Sequence, residues 1–502
     1  MQKIKSFLVV GGGTAGWLTA TTLAHYHRSI GRSDVRISLV ESPQIGTIGV
    51  GEATIPSFID TIKSLGINET DFIKHTQATF KLGIKFSQWQ GDGTCYNHPF
   101  GQVGQAIDHY PFYAFWRHAA LQDEAKDWLN YSPTHHMLEQ NKFFVPQNAP
   151  NTPIQAAAYA LHLDAGKAAS YLADYARNLG VEHISGEVSQ IQDNLHGVAG
   201  VELKDGRQLK ADFFFDCTGF KSLIVGKHLQ SKFDNWSSML SVNRAVTAQT
   251  AALAPLPNYT ESRAQDAGWT WHIPLQQRTG NGYVFNAEHC SDQEALDTLR
   301  SNVTGEFITE PRFIDFTSGM RPESWRANCI AIGLSSGFLE PLESTAIHLI
   351  TKALRLFLRY YPTDPNDKLH AQAFNQALTS EYEEIKDFIL AHYCLSGRFD
   401  TPFWQHYKQL AMPDSLQQKI DLFRHSGNLT GVENGLFNEV NWLSIFTGLG
   451  VYPEQLPPHV TAISLQYLSA HLESIDKSIQ HAVDRLPTHD AFINLHCKAP
   501  LV

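Results

Sequence analysis

The residues best suited to do chemistry begin at the N-terminus. Gly11-Gly12-Gly13-Thr14-Ala15-Gly16 is a G-x-G-x-x-G run set directly between an apolar stretch, Lys5 to Val10, and a helical one, Thr14 to His27. Gly11 permits a tight turn, Gly13 lets backbone approach a pyrophosphate, and Gly16 lets the helix pack closely on the strand. A helix starting here offers free N–H groups and positive potential to phosphates. Glu41 closes a second apolar stretch, Val35 to Val40, where it can accept a hydrogen bond from a ribose hydroxyl. Strand, helix and acid together point to a bound dinucleotide.

Two charged residues further on could act on a substrate. Phe80, Leu82, Ile84 and Phe86 alternate with Thr79, Lys81, Gly83, Lys85 and Ser87. This period of two predicts one strand over 78–88, with Lys81 and Lys85 sharing the face opposite the apolar one. Such a lysine is ordinarily solvated. In a site that excludes water, its ammonium could hydrogen-bond an electrophile or its amine could attack one, and burial would favour the amine. Glu343-Ser344-Thr345-Ala346 precedes Ile347, Ile350, Leu354 and Phe357, which have helical spacing. An acid at a helix start is favoured by the dipole and needs no function. Placed near a substrate, Glu343 could instead stabilise or deprotonate a cation. Free N–H groups around Thr345 and Ala346 form a natural anion site.

These groups need a scaffold of more than one core, and 502 residues supply it. The stretch before residue 45 reads β-α-β. Residues 90–160, rich in His, Tyr, Trp and Asn, read as an insertion contributing to a substrate site. Ala168 to Asn178 is helical, and Val181 to Phe220 reads as strands returning to the first sheet. Helical spacing dominates after Ala346, with loops expected near Pro362, Pro402 and Pro457. The division expected is a dinucleotide-binding domain over 1–360 and a mostly helical substrate-binding lobe over 361–502.

Composition narrows the function class. A net charge of −11 would repel nucleic acid and anionic membrane surfaces. The apolar run Phe7–Val10 is too short for a signal peptide, and no stretch is long enough to span a bilayer. The six cysteines lack any pairing pattern and read as reduced, buried thiols of a cytoplasmic protein. The histidines, including His135-His136, lack metal-ligand spacing, so no metal is expected.

Phe213-Phe214-Phe215-Asp216-Cys217-Thr218-Gly219, an apolar run closing on Asp-x-x-Gly, resembles the second FAD-contacting segment of flavoprotein monooxygenase-type folds. This favours FAD over NAD. With only one full fingerprint, no NAD(P)H domain is read, so reduced flavin is expected from a partner reductase.

Four further segments are similar to the flavin-dependent tryptophan halogenases. Gly49-Val50-Gly51-Glu52-Ala53-Thr54-Ile55-Pro56 resembles their flavin-covering strap, and Thr79–Phe86 the strand with their catalytic lysine. Gly268-Trp269-Thr270-Trp271-His272-Ile273-Pro274 matches their GWxWxIP signature. Phe338-Leu339-Glu340-Pro341-Leu342-Glu343-Ser344-Thr345 resembles the segment holding their catalytic glutamate and halide site.

The resemblance implies an α/β, FAD-binding Rossmann-like fold of the flavoprotein monooxygenase type with a mostly helical C-terminal lobe. It selects Lys81 over Lys85 and makes Lys81 and Glu343 catalytic. Gly11, Gly13, Thr14, Ala15, Gly16, Glu41, Gly49, Val50, Gly51, Glu52, Ala53, Asp216, Gly219, Gly333 and Leu342 become flavin contacts. Thr345 and Ala346 hold the halide, chloride or bromide, with alanine where glycine is frequent in the family. His98, Pro99 and Phe100 flank an aromatic substrate, with Trp442 as the opposite wall. Trp269 and Trp271 are implied to act by bulk, keeping substrate from the flavin.

The implied reaction uses FADH2 and O2 to turn halide into hypohalous acid, which Lys81 presents to the ring. One departure bears on the substrate. Tryptophan-specific members carry a tyrosine pair and a glutamate just before the stacking tryptophan, whereas residues 430–441 here have no tyrosine. That disfavours free tryptophan and favours indole or a substituted indole. The alternatives are a single-component flavin aromatic hydroxylase and a non-catalytic flavin-binding or carrier-docking protein.

Overall fold

The computed structural model describes residues 4–44, 51–107, 110–194, 197–433 and 435–500. Its first sheet grows from the N-terminal strand Ser6–Val10, where Phe7, Leu8, Val9 and Val10 are all buried. Such a continuous apolar run suits a parallel strand covered on both faces. Ser6–Val10 pairs in parallel with Arg36–Glu41 on one side and Phe213–Asp216 on the other. Cys329–Ala331 and Trp325–Arg326 extend one edge, and Glu182–Ser185 closes the other, giving six strands.

Of the strands expected between 181 and 220, only Glu182–Ser185 and Phe213–Asp216 join this sheet. Val188–Asn194, Gly197–Leu203 and Gln208–Lys210 form a separate antiparallel sheet of three. Helix Ala346–Arg359 covers the first sheet. Phe357 is fully buried edge-on against Phe215, with ring centroids 5.0 Å apart. Burial of one such side chain contributes about 1.5–3 kcal/mol.

A seven-stranded sheet carries the substrate side. Its order is Arg312–Asp315, Arg244–Ala251, Arg278–Phe285, Gly268–Pro274, Thr260–Gln265, Gly83–Ser87 and Cys95–Pro99. The last strand comes from the weakly patterned stretch after residue 90, which therefore begins inside the sheet. A third, small sheet joins Gly51–Ala53, Ala160–Asp164 and Thr79–Lys81.

The strand expected over 78–88 is thus two strands. Thr79–Lys81 pairs with Ala160–Asp164, and Gly83–Ser87 pairs with Thr260–Gln265 and Cys95–Pro99. The change of partner falls at Leu82, whose N–H donates to Asn258 O at 2.7 Å. Gly83 follows because a Cβ there would crowd the His98 carbonyl. Lys81 and Lys85 consequently do not share a face. Lys81 is fully buried, whereas Lys85 is half-exposed, its Nζ 5.7 Å from the Tyr259 ring centroid.

Every described element after Ala346 is a helix, and Pro402 opens the helix Pro402–Gln409. One apolar core runs from Ile4 to Cys497, so these helices share their core with the sheets. Cys217, Cys329 and Cys497 are buried thiols as expected, but Cys95 is exposed, and all six cysteines are free. No helix among the described residues is long and apolar enough to cross a membrane.

Candidate active site

Three parallel strands deliver their carboxyl ends to one place. Gly11 follows the first strand at φ +113°, and a Cβ there would overlap the Cys217 carbonyl at the end of the second. Gly16 is equally constrained, because its Cβ would overlap Gly11 O. Gly333, beyond the third strand, would bring a Cβ to 3.0 Å from Ala15 Cβ and 3.4 Å from Ile350 Cγ1. It thus separates the first turn of helix Thr14–Ser29 from helix Ala346–Arg359. Neither helix has a side-chain cap or an acid in its first turn, so the N-terminal N–H groups and positive dipole ends of both are unneutralised.

This cradle fits a dinucleotide. A Cβ on Gly13 would meet nothing within 4 Å, and Thr14 Oγ1 is a buried hydroxyl without a partner. Glu41 folds its carboxyl across Gly12 and lies 2.8 Å from His183 Nε2. Glu52 is half-buried with Oε2 enclosed and unpartnered, and burial beside Asp164 pushes its carboxyl up to about 7. Gly219, at φ +67°, likewise faces open space, and Leu342 is buried.

Asp216 departs from its expected role. Its buried carboxylate accepts from the N–H groups of Thr218, Ile224 and Val225 and from the hydroxyls of Thr218 and Ser335. It shapes the loop around Gly219 and has no free oxygen for a cofactor. Gly49 and Val50 lie outside the described residues.

Because Gly13 borders open space, Gly13→Val should fold normally yet lose FAD binding, since its side chain would fill the room a pyrophosphate needs. Flavin titration and thermal unfolding of the apoprotein check both halves; unchanged flavin affinity would overturn the dinucleotide assignment.

The small sheet ties this cradle to Lys81. Ala53 and Thr79 both stand opposite His162 on the shared strand, and Lys81 stands opposite Ala160. Lys81 Nζ donates to Thr54 O at 3.1 Å and to Ser344 Oγ at 2.9 Å. It also lies 5.3 Å from the Phe100 ring centroid. Burial pulls the ammonium down to about 7, although the charge of nearby Glu343 opposes that fall. Ser344, at φ +60°, holds the strained turn that brings its hydroxyl to the lysine. Thr345, buried, and Ala346, exposed, follow at the helix start.

Glu343 is buried between two histidines. His98 Nδ1 lies 3.1 and 3.2 Å from its two oxygens. His392 Nε2 is 2.9 Å from Oε1, off the ideal donor direction. Burial alone would raise this carboxyl, but the His98 and His392 imidazoles outweigh it and hold the group below its ordinary value.

Behind the histidines, Tyr96 Oη lies 2.8 Å from His392 Nδ1 and Asn441 Nδ2 lies 2.9 Å from His98 Nε2. Glu340, three residues earlier on the loop, is also buried. Its Oε1 accepts from Trp269 Nε1 at 3.0 Å and Tyr393 Oη at 2.5 Å, and burial pushes it up to about 7. Trp269, expected to act by bulk, therefore also anchors the loop that carries Glu343.

Trp442 is buried, edge-on to Phe388 at 4.8 Å and 5.0 Å from Lys419 Nζ. The rings recorded near His98 among the described residues are Phe100, Phe388 and Phe437, with Phe437 stacked on Phe388 at 3.7 Å. Pro99 is buried in the strand that presents His98 and Phe100.

The chain that carries this buried lysine, carboxylate and dinucleotide cradle is similar to known proteins along most of its length. The tryptophan halogenase family model matches residues 6–464. The chain belongs to this family. Tryptophan 7-halogenase RebH of Lentzea aerocolonigenes is 31% identical over 96% of each chain. Among solved structures, the flavin-dependent halogenase Xcc4156 from Xanthomonas campestris superposes with a TM-score of 0.95 at 36% identity over all of both chains. BrvH, a flavin-dependent halogenase from Brevundimonas sp. BAL3, gives 0.94 at 36% identity, covering 98% of this chain and 99% of that one. The protein is therefore an enzyme, a flavin-dependent halogenase with the FAD-binding Rossmann-like fold. Thr54, Tyr96, Glu340, Phe388, His392, Phe437 and Asn441 surround Lys81, Glu343 and His98 in this candidate site, and sequence reasoning did not find them.

Proposed function

We propose that the protein installs chlorine or bromine on an electron-rich aromatic such as indole or a substituted indole, with hypohalous acid delivered to Lys81. The cofactors are FAD as FADH2, O2 and chloride or bromide, and a separate NAD(P)H-dependent flavin reductase supplies the electrons in the cytoplasm. Reduced flavin, when bound, supplies the activated oxygen that oxidises halide. Gly11–Gly16, Glu41, Glu52 and Gly333 would hold the cofactor, and the amides at Thr345 and Ala346 the halide. Residues 1–360 form the flavin-binding part, and 361–502 contribute Phe388, His392, Phe437 and Asn441 to the substrate side.

The observation that carries this reading is Lys81, fully buried and held by Thr54 O and Ser344 Oγ beside the Phe100 ring. Near neutral pH it can be an ammonium that hydrogen-bonds hypohalous acid or an amine that accepts halogen. Glu343, anionic on the same loop, can stabilise the cationic ring or take its proton.

Phe437, with its N–H donating to Glu384 Oε1 at 3.2 Å, lies in the stretch where an amino-acid clamp would be expected. Indole should therefore be the better substrate, with kcat/KM about tenfold or more above that of tryptophan, because the tyrosine hydrogen bonds to the amino-acid end are missing. Mass spectrometry of an indole panel with enzyme, reductase, NADH, FAD, O2 and chloride or bromide tests this. Equal or better turnover of tryptophan would overturn the substrate assignment, and absence of any halogenated product the function.

A further inference from the structure

The two histidines on Glu343 pose a question of proton placement. Each neutral imidazole has one donor and one acceptor nitrogen, and the partner behind the ring decides which is which. Asn441 is behind His98. It lies in the first turn of helix Glu439–Gly448, where its Oδ1 accepts the Asn438 N–H at 2.9 Å as half of a capping box. With that oxygen engaged, the atom Asn441 turns to His98 is Nδ2, 2.9 Å from Nε2. An amide NH2 can only donate, so Nε2 must accept and the proton must be on Nδ1, the nitrogen facing Glu343.

His392 repeats the pattern with its nitrogens exchanged. Burial drives the Tyr96 phenol well above its ordinary value, so it stays a donor to Nδ1 and leaves the proton of His392 on Nε2, toward Glu343.

We propose that Asn441 is a positioning residue that fixes the His98 proton on Nδ1, so that a neutral ring donates to Glu343. Glu343 then faces the N–H sides of both rings, His98 donating from Nδ1, and its charge remains available to Lys81 and the substrate cation. The consequence for turnover rests on the halogenation proposed above; the proton placement does not. The titratable groups facing His98 are Glu343 and, from helix Lys368–Leu395, His392; its ring neighbours Phe100, Phe388 and Phe437 are apolar.

The test is heteronuclear NMR of ring-labelled histidine, with His98 assigned from the signal lost in His98→Gln, together with halogenation kinetics. Wild-type His98 should carry a proton on Nδ1 and none on Nε2, and any proton on Nε2 would overturn the proposal whatever the variants do. Asn441→Asp keeps an acceptor for the Asn438 N–H but sets a second carboxylate behind Nε2. A carboxylate can only accept, so Nε2 of His98 should then carry a proton. Its kcat should fall about 10²-fold, short of the ~10⁴ a wrong tautomer costs a catalytic triad, while KM changes less than about twofold. Asn441→Leu, which removes the donor, should give a mixture of neutral tautomers. A neutral, Nδ1-protonated His98 with full kcat in Asn441→Asp would overturn the proposal. A wild-type enzyme that halogenates nothing would defeat the functional reading, while the NMR spectra would still decide proton placement.

Discussion

Replacing Lys81 with methionine should eliminate ring halogenation, leave FAD binding and O2-driven flavin oxidation intact, and make the folded protein more stable at pH 7. The first two effects follow from separation, because the lysine contacts Thr54, Ser344 and Phe100 and none of the glycines of the cofactor cradle. The third follows from burial. In the folded protein the group falls from 10.5 to about 7. The unfolded chain therefore binds more protons between those values, and stability rises with pH across that window. Below about pH 7 the full penalty applies, at about 1.4 kcal/mol per pKa unit. Leaving Thr54 O and Ser344 Oγ unpartnered returns part of it, roughly 1–3 kcal/mol. The net gain should be on the order of 2 kcal/mol at pH 7 and fade toward pH 10, as read by thermal unfolding of both proteins across that range.

Lys85→Ala should change neither property much, since Lys85 lies in another sheet, half-exposed beside Tyr259. Regioselective halogenation at the wild-type rate by Lys81→Met would remove the lysine from the mechanism. The pH dependence of wild-type kcat separates its two possible roles. A halogen-accepting amine requires kcat to rise through about pH 7, and a hydrogen-bonding ammonium requires it to fall.

What could be read from sequence was local. The Gly11–Gly16 turn, Glu41 after its strand and Glu343 before its helix are each defined by neighbours in the chain, and the structure puts them where spacing suggests. Lys81 shows where spacing fails. Alternation over 79–87 is real, since Phe80, Leu82, Ile84 and Phe86 are all buried, but the strand changes partner at Leu82. Both faces of Thr79–Lys81 are covered, so periodicity marks as solvated a lysine that is enclosed. The second carboxylate oxygen of Asp216 was invisible for another reason: Ile224 and Val225 lie only a few residues away, but the turn that brings their N–H groups back is set by Ser222 at φ +39°. His392, Tyr96 and Asn441 carry no signal in their own segments. Each reaches Glu343 or its histidines across tens to hundreds of residues: helix Lys368–Leu395 brings His392 to Tyr96 and Glu343, and helix Glu439–Gly448, packed on strand Cys95–Pro99, brings Asn441 to His98. Phe388, on helix Lys368–Leu395, is the ring nearest His98 among the described residues, at 5.6 Å. It separates His98 from Trp442, which helix Glu439–Gly448 packs against Phe388, Phe446 and Lys419.

Glu343→Gln should slow halogenation by roughly 10²–10³-fold, the scale of removing one preorganised electrostatic partner from a site that excludes water. The substitution keeps the size of the side chain and one acceptor oxygen. It removes the charge and presents an NH2 group to one of two histidines whose N–H already points inward, so one imidazole must lose its bond or move its proton. Because the two histidines hold Glu343 below its ordinary carboxylate value, the wild-type enzyme should show no limb from this residue near neutral pH. Lys81, Glu340 and Glu52 all fall at about 7, so a limb there belongs to Lys81 only if it moves when Glu343 is changed. The two are coupled, since the carboxylate charge raises Lys81 against the pull of burial. In Glu343→Gln that support is gone, and the Lys81 limb should move to lower pH while the rate falls. Loss of rate with no movement of the limb would mean that the limb belongs to a group other than Lys81. Freely diffusing hypohalous acid is the competing account of ring halogenation, and it needs neither residue. A Glu343→Gln enzyme that halogenates indole at the wild-type rate and at the same ring position would favour that account and leave the flavin cradle at Gly11–Gly16 unaffected.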